Sequence, residues 1–274
     1  MKVNRILASI KDLWDDPKKR KITVIVAVSL FACMILFFGY KIAHTLITYK
    51  EEAQLHEELL GYKPDEVGSG DLAEEDEPVS DHSVVINQSL IDLKATNKDV
   101  VGWINIPDTQ IDYPFVRAAD NDYYLRRNLY GKWLDTGTLF LDYRNDPDML
   151  SFYSLIYGHH MKNGSVFGAI SYYAEQSFFD KHPYGYIYTP YQNFRMDFFA
   201  YLVVAGNEKN VYDPENIEKV GNLNTIKYFQ TNARTSLPVN VKASDRIVVL
   251  STCSYEFGNA RSILVGKLVP LSAK

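Results

Sequence analysis

The chain has 274 residues, 46% hydrophobic and 23% charged, with a formal net charge of −5. That length suits one domain of ordinary size plus appendages, and the acidic balance excludes the basic field that nucleic-acid binding requires. Two cysteines, Cys33 and Cys253, are too few and too far apart for a disulfide framework or a cysteine metal site; no carboxylate cluster suited to calcium stands out either, and no metal and no cofactor is expected.

Residues 22–40, ITVIVAVSLFACMILFFGY, form an uncharged apolar run. At ~1.5 Å per residue it nearly spans a ~30 Å hydrocarbon core. The basic stretch DPKKRK precedes it, and Glu51, Glu52, Glu57 and Glu58 follow. The positive-inside rule then predicts a cytoplasmic segment at 1–21, a transmembrane signal anchor at 22–40 and an extracytoplasmic remainder. A cleaved signal peptide is the rival reading, but such apolar regions are shorter and end at a small-residue site, which this one lacks.

Residues 41–82 read as a stem. Its first part could continue the helix. Its second, GYKPDEVGSGDLAEEDEPVSD, is rich in Gly, Pro and acids and predicts a disordered spacer. From 83 to 274 the pattern is globular. VINQSLIDLKATN has apolar residues at helical spacing. Strands are predicted at VGWINI, QIDYPFV, GTLFL, FYSLIY, YGYIYT, RMDFFAYLVV, RIVVLS and RSILVGKLV, separated by turn signals such as PDT and RNDPD. Helical stretches interrupt them at about 165–181 and 222–235. Eight strands with few helices predict a mainly β fold closed into a barrel, with a helix-bearing insertion before the penultimate strand.

Cys253 ends an apolar strand pattern in LSTCSYEFGNAR. It is either a small buried hydrophobe or a nucleophile. A nucleophile needs a base and donors for the oxyanion. Of the six histidines, His44, His56 and His82 fall in or beside the stem and His182 in a turn. His159 and His160 in SLIYGHHM follow a strand end and a glycine, a placement open to a cleft or to plain surface. Arg261 opens the last strand. It could be a solvated edge residue or, if residues 254–260 fold back, a permanent donor beside Cys253.

LSTC, the distant YGHHMKNGSVF, and Arg261 at the next strand together resemble the class B sortases, cysteine transpeptidases of Gram-positive cell surfaces. NDYYL and GTLFLDYRN are similar to class B segments too, and the likeness runs from about residue 88 to 269. The resemblance implies an eight-stranded sortase barrel with an N-terminal helix. It implies that Cys253 attacks the carbonyl after the Thr of an Asn-Pro-x-Thr-like sorting signal. His159 would be the acid and base, and Arg261 would steady the oxyanion with the backbone N–H of Ser254. Asn121, Leu125, Tyr157 and Ser251 would line the substrate groove. The implied partners are secreted proteins bearing a C-terminal sorting signal, an amine of the peptidoglycan crossbridge or its lipid-linked precursor, and the cell membrane. Two departures stand out: Val249 where the family pattern has Thr, and Gly258 where relatives often carry an acid. The alternatives are a pilin-polymerising sortase and a non-enzymatic, membrane-tethered binding barrel.

Overall fold

Helix α1 (Pro17–Leu59) opens the computed structural model, which describes residues 15–65, 85–254 and 256–271. The acidic spacer expected in the stem lies, from residue 66 on, outside the described residues. The chain divides into two compact units, one ending at Glu51 and one beginning at Glu52. In the first, the apolar side chains of α1 from Ile22 to Ile47 are exposed. They fall on every side of the helix, so this stretch has no polar face to turn to water.

The second unit holds the last turns of α1, and these pack on the barrel. Tyr113 Oη donates to Glu52 Oε1 (2.7 Å), the His56 ring lies 4.5 Å from that of Tyr113, and Leu59 is buried. Lys63 pairs with Asp112 at 3.0 Å. Residues 52–65, read from sequence as part of the stem, therefore rest on the barrel through Glu52, His56, Leu59 and Lys63, while residues such as Gln54, Glu57 and Gly61 stay exposed.

The barrel strands are β1 (Val100–Asn105), β2 (Asp112–Val116), β3 (Leu139–Leu141), β4 (Tyr153–Tyr157), β5 (Tyr184–Tyr188), β6 (Asn193–Ala205), β8 (Arg246–Cys253) and β9 (Ala260–Leu271). Their order is β5-β1-β2-β3-β4-β8-β9-β6, and β6 pairs with β5 to close the ring. A two-residue β7 (Thr235–Ser236) hangs on β6. The eight predicted strands are all present. Closure removes the exposed strand edges that a flat sheet would leave.

Side chains alternate across each strand. Val248, Leu250 and Leu264 point into the barrel with Phe115, Ile156 and Phe198. Their neighbours Ile247, Val249, Ile263 and Val265 face outward into a second core. That outer face is covered by the insertion between β6 and β8, with helices α4 (Lys209–Tyr212), α5 (Pro214–Val220) and α6 (Asn222–Asn232). Helix α2 (Gln88–Thr96) covers another flank through Leu90 and Leu93. Because both faces are buried, β1 and β8 read as nearly continuous apolar runs. Two sequence expectations change in detail. The helix at 165–181 is a 3-10 helix (Gly168–Ala174) followed by α3 (Gln176–Lys181). The insertion helices begin at Lys209, well before residue 222: Glu208 caps the first by accepting from Asn210 N, and Asp213 and Pro214 cap and open the second, in stretches too short to show a period.

Candidate active site

Strand parity assembles the site. Val249 faces outward, so Ser251 and Cys253, two and four residues on, lie on the same outer side. On the parallel neighbour β4, Tyr157 pairs with Ser251. On the antiparallel neighbour β9, Arg261 is directly opposite Cys253 as the last rung of the ladder. The loop between them closes tightly. Asn259 takes a left-handed φ of 60°, Ala260 N donates to Phe257 O (3.2 Å), and Ser254 N donates to Ala260 O (2.9 Å). This turn brings Arg261 back beside Cys253. It also commits the Ser254 N–H to the loop, so in this arrangement that group does not point at an oxyanion. The Arg261 guanidinium is half-buried and donates to Ala260 O (3.0 Å).

His159 is placed by the end of β4. Gly158 N donates to Ser251 O (3.0 Å), extending the ladder one residue. A Cβ on Gly158 would collide with the Leu139 side chain and the Phe167 ring, so the chain passes here only as glycine. His159 Nε2 bonds the Leu125 carbonyl at 2.7 Å. A carbonyl only accepts, so Nε2 carries the proton and Nδ1 is the basic nitrogen. Burial holds the His159 pKa below the usual imidazole value and Arg126 adds to this, while the Leu125 bond and Asp135 pull the other way. The ring is therefore neutral at neutral pH.

These groups line one cleft of about 450 Å³ with Asn121, Asp122, Leu125, Phe140, Arg144, Tyr157, Tyr212, Ser251 and Thr252. The four residues expected to contact substrate all border it. Only Leu125, on a 3-10 turn, offers a largely exposed side chain. The polar atoms of the other three are already engaged. Asn121 Nδ2 and Tyr157 Oη donate to Asp142 Oδ2 (2.9 and 3.0 Å), and Ser251 Oγ bonds Tyr212 Oη (2.8 Å).

Asp142, Arg144 and Tyr212 were not anticipated from sequence as site residues. Asp142 is 1% exposed. Its carboxylate also takes Arg144 Nε (2.8 Å), Arg144 Nη2 (2.7 Å) and the Arg144 backbone N–H (3.0 Å). Burial opposes its ionisation, but these bonds with that from Asn121 hold its pKa below the usual carboxylate value. Arg144 Nη2 reaches on to the Tyr212 carbonyl (3.2 Å), and the Tyr212 ring stacks on Tyr157 at 6.3 Å. Burial pushes the Tyr212 hydroxyl up to about 12, against Ser251 and Arg261, which lower it. It stays a hydrogen-bonding phenol. The clue in sequence was LDYRN, an acid and an arginine directly after a strand, whose partners only the fold brings near. Among the described residues, no group of three or more His, Cys, Asp or Glu is placed to hold a metal ion.

A closed barrel that collects a thiol, an imidazole and a guanidinium in one outer cleft is the architecture of a cysteine acyl-transfer enzyme. No family model matches the chain. The sortase B of Listeria monocytogenes is 36% identical over 188 residues, covering 67% of this chain and 75% of that protein. The sortase B of Staphylococcus aureus is 28% identical over 260 residues, 93% of this chain and 99% of that protein. A solved Bacillus anthracis structure described as similar to sortase B superposes with a TM-score of 0.63 at 30% identity, covering 81% of this chain and 97% of that one. The chain belongs to the sortase B family and is a sortase-type cysteine transpeptidase.

Proposed function

We propose that Cys253 attacks the carbonyl after the Thr of an Asn-Pro-x-Thr-like C-terminal sorting signal and forms a thioacyl-enzyme. The thiol proton passes to His159 Nδ1, and the protonated ring delivers it to the departing amine. Arg261 donates to the oxygen that gains charge in the tetrahedral intermediate. An amine of peptidoglycan or its precursor then takes the acyl group, with His159 receiving its proton. The observation that carries this reading is the cross-strand pairing of Cys253 with Arg261 in the cleft that also holds His159. Leu125, Asn121, Tyr157 and Ser251 form the walls for the signal. The apolar part of α1 serves as a single-pass anchor at 22–40, with residues 1–21 cytoplasmic, 41–82 as a stem whose residues 52–65 rest on the barrel, and the domain from 83 outside the cell. Its exposed apolar surface, of a length that spans a bilayer, supports this. The test is turnover of Asn-Pro-x-Thr, Leu-Pro-x-Thr and Ser-Pro-x-Thr peptides by wild type and Cys253→Ala. Cleavage after Thr by wild type, with a thioacyl adduct on Cys253 and none in the variant, is expected. Equal turnover by Cys253→Ala refutes the nucleophile, and no turnover on any peptide refutes the substrate class.

A further inference from the structure

Two supports hold His159, and both lean on the same neighbour. The first is the Leu125 carbonyl, 2.7 Å from Nε2. Residues 124 and 125 are backed by Gly137 and Thr138. Thr138 N donates to Tyr124 O (3.1 Å), and Thr138 Oγ1 donates to Arg127 O (2.9 Å). Gly137 has a φ of 59°, and a Cβ there would stand 2.5 Å from the oxygens of both Tyr124 and Leu125. The second support is the loop that follows the histidine. Phe167 N donates to the His159 carbonyl (3.1 Å), and His160 forms a bridge with Val166.

Val166 is the strained point of that loop. It is β-branched and has a φ of 55°, in the left-handed region that such side chains avoid. A conformation of this kind persists only where its surroundings fix it. Here the Tyr113 hydroxyl, on β2, does so. Burial, and then Glu52, push the pKa of this phenol up, while hydrogen bonds from the Val166 backbone and Ser165 pull it down. The hydroxyl stays protonated. It donates to Glu52 Oε1 (2.7 Å) while it accepts from the loop. Glu52 is only 6% exposed, and a carboxylate is seldom buried without a partner. It shares one face of α1 with Leu55, His56 and Leu59. These three close over Gly137, Thr138 and Val166 around a cavity of only about 30 Å³. The last turns of α1 therefore rest on both supports of His159 at once.

We infer that Tyr113, braced by Glu52, is a positioning residue for His159: it pins the Ser165–Val166 turn and through it the orientation and tautomer of the imidazole. Neither Tyr113 nor Glu52 lines the cleft, so they act on the reaction only through the barrel wall. Without the phenol oxygen, Val166 is free to leave its left-handed conformation. The Phe167 bond to the His159 carbonyl then loosens, the ring tilts, and the bond from Nε2 to Leu125 O lengthens. The proton on Nε2 is no longer held there, and Nδ1 is no longer the basic nitrogen in every molecule. The inference rests on the reading of His159 as acid and base.

The test uses the full chain in detergent micelles, with Tyr113→Phe, Glu52→Leu, Glu52→Gln and His159→Ala. Two readouts are taken well below each melting temperature: kcat and KM on the signal peptide, and the His159 tautomer from nitrogen NMR of ¹⁵N-histidine protein. The signal that vanishes in His159→Ala assigns the ring. Tyr113→Phe is expected to lower kcat by about tenfold with KM within about twofold, and to turn the single Nε2–H tautomer into a mixture. Glu52→Leu should act in the same direction, and it keeps the test decisive if Tyr113→Phe fails to fold. Glu52→Gln keeps a carbonyl acceptor for the phenol and should restore both readouts. A merely structural contact would lower the melting temperature and leave the folded molecules with wild-type kcat and tautomer. That result in Tyr113→Phe or Glu52→Leu overturns the positioning role. If His159→Ala is inactive at the same time, the reading of His159 stands. Full activity in His159→Ala overturns both.

Discussion

Replacing Asp142 with asparagine keeps its volume and removes its charge. The wild-type carboxylate is 1% exposed and accepts hydrogen bonds from Asn121, Tyr157 and three Arg144 donors. A full break of a buried ion pair costs about 3–5 kcal/mol. Arg144, however, is 34% exposed in its side chain and can turn to water once released, which discounts that figure. Asparagine also retains one acceptor oxygen. We expect Asp142→Asn to lose about 2 kcal/mol at pH 7, from weakened charge-assisted bonds and an amide donor facing other donors. Asp142→Ala should lose about 3 kcal/mol, because Asn121 and Tyr157 are left unpaired as well. The folded-state pKa of Asp142 lies below its unfolded value of about 3.9. Its stabilisation is thus present above that pH and is lost as pH falls through the folded value. The assay is urea unfolding of wild type and Asp142→Asn at pH 7 and at several points below pH 4. The two curves should converge at acid pH. In parallel, KM for the signal peptide should rise more than kcat falls, since two cleft walls lose their common anchor while Cys253, His159 and Arg261 stay in place. A pH-independent stability gap, or a variant with wild-type stability and KM, would refute the reasoning.

Gly158→Ala forces a Cβ against Leu139 and Phe167. It should cost about 1–3 kcal/mol and lower kcat by displacing His159, measured by thermal melting and steady-state kinetics. Arg261→Ala should lower kcat by about 10²–10³, with Arg261→Lys recovering part of it and both melting near wild type; full activity in Arg261→Ala would remove the oxyanion role. Because Arg126 depresses the His159 pKa, Arg126→Ala should raise it and move the acid limb of the kcat/KM profile to higher pH. A limb that moves the other way, or not at all, counts against His159 as the base.

Sequence reading placed the eight barrel strands and the position of the insertion, which follow from short-range rules: alternating apolar residues and turn residues at fixed offsets. Cys253, His159 and Arg261 were singled out by resemblance, and the fold brings the three to one cleft. It missed the short helices at Lys209–Tyr212 and Pro214–Val220, whose few residues carry no clear period. It offered the Ser254 N–H for the oxyanion, but the tight loop uses that group to bond Ala260 O. Nor could it show that Asn121, Tyr157 and Ser251 are held by Asp142 and Tyr212. Those facts depend on which strands become neighbours. β4 lies beside β8 although a long stretch of chain separates them, and β8 hairpins onto β9 with Cys253 facing Arg261. Local propensity is written in adjacent residues, so it is legible in the chain. The pairing of distant strands, and the buried polar bonds it completes, is decided by closing the barrel.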